Sequence, residues 1–178
     1  MENANVEWFG QPIGDAVEIY DASVEWAEVG RRWERLLSDA LAPLPTRVDH
    51  VGSTSVPGLA AKPVIDLQVQ VPDLADEAAY ALPLESLGMV LRARGEEFRF
   101  FRPPAGRVRD AHVHVCTRDS TWALDHLAFR DALRLDATLA RRYERLKRRL
   151  AETGSTRADY NRGKEAFILD VIARRTGR

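Results

Sequence analysis

The chain has 178 residues, 45% apolar and 30% charged, a balance that suits a globular chain long enough to bury one core. Its 26 Lys and Arg nearly offset 27 Asp and Glu, and a net charge of −1 gives no global pull toward nucleic acid or a membrane surface. A lone cysteine, Cys116, excludes a disulfide framework and a CxxC metal site. The opening MENANVEWFG lacks the basic-then-apolar pattern of a leader. No apolar run approaches the length of a membrane span, so the expectation is a cytoplasmic chain with no membrane partner.

Taken in order, the first residues read as a loose tail and residues 16–20 as a short strand. Val24, Val29, Trp33, Leu36, Leu37, Ala40 and Leu41 recur at helical spacing, with Asp21 or Ser23 available as the cap. The APLP run stops that helix, because proline cannot continue it. RVDHV is a strand, and after a Gly-Ser turn and Pro57-Gly58 comes VIDLQVQV, a second strand. Residues 72–88 are helical but interrupted near Pro83, with Gly88 as a C-cap. MVLRAR and EFRFFR pair as a hairpin around Gly95-Glu96, PPAGR is a loop, and DAHVHVCT alternates as a further strand. Beyond Ser120 strand patterns cease and three helices follow, with Asp136 as an N-cap and Gly154-Ser155 as a break. The expected organisation is one domain over residues 1–178, an α/β core over about 15–118 with a helical portion over about 120–176. That is an α+β fold.

The stretch VDHVGSTSVPGLAAKPVIDLQVQV concentrates the chemistry. It is not a Walker loop, since Lys62 lies four residues after Gly58 instead of beside it. Along VIDLQVQV, Ile65, Leu67, Val69 and Val71 share one face, and Asp66, Gln68 and Gln70 share the other with Val64. The expectation is a core face and a wet polar face suited to the floor of a site. Gly52 lets the backbone approach a ligand, and Ser53, Thr54 and Ser55 offer hydroxyls and N–H groups at a short helix start. A phosphate binder beside a strand carboxylate is what metal-assisted phosphoryl chemistry requires.

HVGSTSVPGLAAKPVIDLQV resembles the signature of the GrpB-like family, and HVHV, FRDALR and the Tyr143/Lys147 and Tyr160/Lys164 spacings extend the resemblance over about residues 15–170. The resemblance implies a nucleotidyltransferase-like mixed sheet with flanking helices and a helical C-terminal portion. It also implies a nucleoside triphosphate substrate, a divalent metal and an acceptor that the sequence does not identify. Specific nucleic-acid binding is not expected. In the wider superfamily a Gly-Ser turn is followed by two carboxylates two residues apart on the next strand, and a third comes from a later strand. Gly52-Ser53 and Asp66 match, whereas Gln68 stands where the second carboxylate belongs. An amide can ligate a cation but adds no charge.

Asp110, His112 and His114 fall on one face by alternation and join Asp66 as candidate metal ligands, with His50 nearby. Mg²⁺ or Mn²⁺ is the expected ion, with Zn²⁺ the alternative that imidazoles favour. Asp66, His112 and His114 are the candidate catalytic residues. Gly52, Ser53, Thr54, Ser55, Lys62, Arg130 and Lys164 are the candidate phosphate-binding residues. Arg130/Arg134, Tyr143/Lys147 and Tyr160/Lys164 are i, i+4 pairs, each on one side of its helix. His126, Cys116 and the four tryptophans Trp8, Trp26, Trp33 and Trp122 are expected to be structural. Two other readings stand beside nucleotidyl transfer: a non-catalytic module that binds a nucleotide or phosphorylated metabolite, and an enzyme of different chemistry that uses the HxH strand.

Overall fold

The computed structural model describes residues 6–9, 17–108, 110–153 and 156–177. Its order is β1 (Glu7–Trp8), α1 (Glu25–Leu41), β2 (Arg47–Val51), a single 3₁₀ turn (Ser53–Ser55), β3 (Ile65–Val71), α2 (Ala78–Ser86), β4 (Val90–Arg94), β5 (Phe98–Arg102), β6 (Ala111–Thr117), α3 (Thr121–Leu135), α4 (Ala137–Glu152) and α5 (Arg157–Thr176). The strands form one mixed sheet in the order β1-β4-β5-β6-β3-β2. β3 and β6 are parallel, and the other neighbours are antiparallel.

The two faces of the sheet follow from strand alternation. Leu67, Val69 and Val71 of β3 and Val113 and Val115 of β6 point to one side. There they pack with Leu37 and Leu41 of α1 and Tyr80 and Leu84 of α2 into the main core. The other side carries Asp66, Gln68, His112 and His114, which meet across the parallel pair at Asp66 opposite His112 and Gln68 opposite His114. α3 lies over this side, with Trp122 and Ala123 packed on Cys116 and Phe98. A third cluster joins the turn region to the helices, where Val56 and Leu59 meet Leu133 and Tyr143.

The local chemistry sets the helix starts. Ser120 accepts from the Ala123 N–H, Asp136 from those of Thr138 and Leu139, and Thr156 from that of Asp159. At α1, Ser23 Oγ accepts from Glu25 N–H at 3.2 Å. Several expectations are corrected. Residues 17–20 form no strand; Tyr20 makes one isolated bridge to Ala61. The supposed tail contributes β1, which pairs with β4. α2 is shorter than expected and runs through Pro83, which leaves the Ala79 carbonyl without its intrahelical N–H partner. Trp8 is 64% exposed instead of buried, since β1 is an edge strand. Ala16 and the Gly154-Ser155 break lie outside the described residues.

Candidate functional site

β2 ends where Gly52 turns with φ +69, a left-handed conformation in which any side chain is strained. A Cβ there would also stand 2.4 Å from Asp66 Oδ2. Glycine is therefore required twice, by the backbone angle and by the carboxylate lying against it. Of the hydroxyls that follow, two are internal. Thr54 Oγ1 donates to the Val64 carbonyl at 3.0 Å and lies 3.0 Å from His50 Nε2. Ser55 Oγ donates to the Gly52 carbonyl at 2.7 Å. These bonds correct the expectation that Thr54 and Ser55 hold phosphate through their side chains: they shape the turn. Ser53 alone of the three is half-buried, and its hydroxyl is hydrogen-bonded to Tyr143 of α4.

Asp66 sits beside this turn, with its side chain 32% exposed. Oδ1 is 3.1 Å from His112 Nδ1, across the β3–β6 pair. Oδ2 faces Gly52. Desolvation pushes the Asp66 carboxyl up, but the His112 hydrogen bond and the nearby His112, His114 and Lys164 outweigh it and hold the group below the usual aspartate range. Asp66 and His112 thus form a coupled pair, as the alternation of both strands foreshadowed.

The rest of the polar face is dry, which corrects the expected wet floor. Gln68 and Gln70 are both 0% exposed. Gln68 Nε2 donates to the Ala123 carbonyl of α3 at 3.3 Å. Gln70 Nε2 donates to Asp49, and Gln70 Oε1 accepts from the Asp119 N–H at 3.0 Å. Position 68, where the superfamily has its second carboxylate, is therefore a strut between sheet and helix. His114 is stacked on Phe100 at 4.9 Å, with Trp122 at 5.8 Å, and burial lowers its pKa to about 3, so it is neutral at neutral pH. His126 is a helix residue whose Nδ1 is 2.7 Å from the Trp122 carbonyl. His50 packs on the opposite side of β2, against Gly30 of α1.

Asp110 is exposed and precedes β6, where its carbonyl accepts from the Ile65 N–H. Among the described residues no three of His, Cys, Asp and Glu are placed to hold a metal ion together. The expected set of Asp66, Asp110, His112 and His114 is thus not assembled. The donor chemistry agrees: one carboxylate already shared with an imidazole, an amide turned into the interior and a histidine enclosed by aromatic rings do not fit a resident two-metal centre.

The C-terminal helices grip the turn at several points. In α3, Arg130 donates to the His50 carbonyl at 3.3 Å, to Asp49 at 3.5 Å and to Asp131 at 2.7 Å. It is so engaged that the expectation of a phosphate contact gives way to a strut between β2 and α3. Arg134 donates twice to the Ser55 carbonyl, at 3.0 and 2.9 Å. In α4, Glu144 accepts from the Ala60 N–H at 3.3 Å and the nearly buried Lys147 donates to the Ala60 carbonyl. Burial and the nearby Lys164 lower the Lys147 pKa to about 7. From α5, Lys164 lies over the Tyr160 ring at 4.4 Å and approaches Asp66. Its desolvation outweighs that carboxylate's influence and brings its pKa to about 8. Lys62 is half-buried on the same side, close enough to Lys164 to disfavour its charge. The structure therefore brings Gly52, Ser53, Asp66, His112, Lys62 and Lys164 together. The sequence placed Arg134, Tyr143 and Lys147 behind Arg130 and Lys164 as candidate contacts, although their i, i+4 spacings carried the signal.

Residues 16–174 match the family model described as GrpB protein. The chain belongs to the GrpB family. A UPF0157 protein of Streptomyces coelicolor is 40% identical over 170 residues, covering 95% of this chain and 89% of that one. The crystal structure of conserved protein GrpB from Enterococcus faecalis superposes with TM-score 0.78 at 31% identity, over 88% of this chain and 96% of that one. The Cid1 poly(U) polymerase bound to MgGTP gives TM-score 0.54 at 17% identity, over 75% of this chain and 44% of that one. That likeness establishes the nucleotidyltransferase-like fold for this GrpB chain and carries no function with it. No helix of the described residues is long and apolar enough to cross a membrane.

Proposed function

We propose that this GrpB-family chain binds a nucleoside triphosphate at the Gly52-Ser53 turn and passes a nucleotidyl group to an acceptor. The observation that carries the reading is the convergence at Asp66: its Oδ2 lies on the turn glycine, its Oδ1 on His112, and Lys164 faces it from α5. Phosphates seated between Ser53 and Lys164 would meet a hydroxyl and an amine with Asp66 at their edge. Nucleotide-bound superfamily members such as Cid1 with MgGTP support the substrate class. Catalysis in this arrangement rests on positioning and charge stabilisation. Lys62 and Lys164 supply the positive charge, His112 keeps Asp66 ionised, and no step is assigned to a metal ion.

One observation favours a second reading, a nucleotide-binding module without turnover. Gln68 is enclosed beneath α3, and His112 occupies the cross-strand position beside Asp66. A thermal-shift panel of nucleoside triphosphates with Mg²⁺, Mn²⁺ or Zn²⁺, followed by a pyrophosphate-release assay, separates the two. Turnover lost in Asp66→Asn supports transfer. A nucleotide shift without turnover supports the module. No shift with any nucleotide overturns both. Ser53→Ala should weaken triphosphate binding by about 1–3 kcal/mol if its hydroxyl donates to phosphate; unchanged affinity in the folded variant removes Ser53 from the site.

A further inference from the structure

The outer face of α4 carries a basic groove that the candidate nucleotide site does not use. The helix has six cations, Arg141, Arg142, Arg145, Lys147, Arg148 and Arg149. Three are engaged elsewhere: Lys147 with the Ala60 carbonyl, Arg148 with Glu144 and Asp21, and Arg141 with Thr138. Arg142, Arg145 and Arg149 remain, and together with Leu146 and Phe167 of α5 they line a cavity of about 220 Å³ that no carboxylate lines. None of the three is ion-paired among the described residues. In a chain of net charge −1, three unpaired guanidiniums around an apolar floor are not the overflow of a generally basic surface.

We infer that this groove is a binding site for a chain of linked phosphates, separate from the Gly52-Ser53 turn. The arginines recur at i, i+3 and i+7, rising along the helix by about 4.5 and then about 6 Å, so their long side chains can converge on one elongated anion. Planar guanidinium forks match phosphate oxygens in pairs, and Leu146 and Phe167 beneath them limit competition from water. Phe167 does not offer a free ring to a base: Arg142 covers it at 5.9 Å, and Tyr143 stacks on it at 5.3 Å. Recognition here is of phosphate and not of nucleobase. The cavity is also smaller than the roughly 300–1,000 Å³ of a site that encloses a whole drug-sized ligand, which favours an oligophosphate over a complete nucleotide. Tyr143 reaches Ser53 from the buried side of α4, whereas Arg142, Arg145 and Arg149 are exposed on its outer side, so the arginines and the turn are approached from different sides of the helix.

The probe is inorganic tripolyphosphate, added to the full chain carrying Lys164→Ala so that the turn is weakened. Binding is followed by calorimetry and by the arginine Nε–Hε resonances. The expected result is saturable binding that shifts the signals of Arg142, Arg145 and Arg149. Arg145→Gln with Arg149→Gln in the same background should lose at least about tenfold in affinity, with an unchanged melting temperature. Unmoved arginine signals, or equal affinity after both substitutions, would overturn the site. So would a single-stranded RNA that occupies these arginines and is not displaced by tripolyphosphate, because the face would then read a nucleic-acid backbone.

Discussion

Gln68 and Gly52 show how one residue's surroundings decide its meaning. A glutamine in the place of the superfamily's second carboxylate invites the idea that Gln68→Asp would restore a metal ligand. The structure reverses that expectation. Position 68 is fully buried and holds the Ala123 carbonyl. A carboxylate there would lose that bond and bury a charge, so Gln68→Asp should destabilise the fold by about 3 kcal/mol or more without sharpening any Mg²⁺ dependence. Urea denaturation and an Mg²⁺ titration with nucleotide present check both halves. Gly52→Ala should cost about 1–3 kcal/mol through its left-handed angle, and should also displace Asp66 Oδ2. A crystal structure of the variant with Asp66 unmoved would refute the second effect. His50, buried against Gly30, has its pKa lowered to about 4 from 6.5 by desolvation. Between those two values the unfolded chain binds the proton and the folded chain does not. Stability should therefore fall as pH drops from 6.5 to about 4, by up to about 1.4 kcal/mol per pH unit for such a group. His50→Gln should flatten that slope in a pH series of urea melts.

At the scale of elements, α4 holds the backbone of one residue at both ends, with Glu144 on the Ala60 N–H and Lys147 on the Ala60 carbonyl. The Lys147 pKa falls from 10.5 to about 7. Across that window the unfolded amine is charged and the folded one is not, so this residue's effect is to raise stability with pH. Lys147→Met keeps the apolar stem and removes the donor. The variant should be less stable than the parent by about 1–3 kcal/mol near pH 9–10, and the gap should narrow toward pH 7. A gap that does not change with pH would remove Lys147's titration from the account. These contacts also mark the limit of what the sequence reveals. Period-two alternation placed β3 and β6 and put Asp66 and His112 each on the polar face of its strand, because alternation is a property of the backbone itself. It could not show that α3 would close over that face, and so Gln68, Gln70 and His114 read as wet. The three C-terminal helices were legible from the end of strand patterns after Ser120 and from the Asp136 cap. Which turn carbonyls Arg134 and Lys147 would reach was not, since those partners lie 79 and 87 residues away in the chain.

For the whole molecule, the sheet and the C-terminal helices depend on each other. The main core needs only α1 and α2 on one side of the sheet. The opposite side is not a water-facing surface that could stand alone: Gln68 reaches an α3 carbonyl, Cys116 and Phe98 pack on Trp122 and Ala123, and Val56 and Leu59 pack on Leu133 and Tyr143. Without the helices, the Val56 and Leu59 patch would be exposed and Gln68 would lose its partner. The turn would lose Arg130, Arg134, Lys147 and the Tyr143 bond to Ser53. A chain cut after Ser120 should therefore keep strand-rich far-UV dichroism yet lose near-UV signal and a sharp urea transition, the behaviour of a loosely packed state. It should bind no triphosphate even though Gly52, Ser53, Lys62, Asp66 and His112 are all retained. Restoring the missing segment as a separate polypeptide of residues 118–178 should recover near-UV signal only when the two parts associate. A fragment that unfolds cooperatively by itself and binds nucleotide like the parent would sink this account, because it would make the helices a cover over a site that the sheet completes alone.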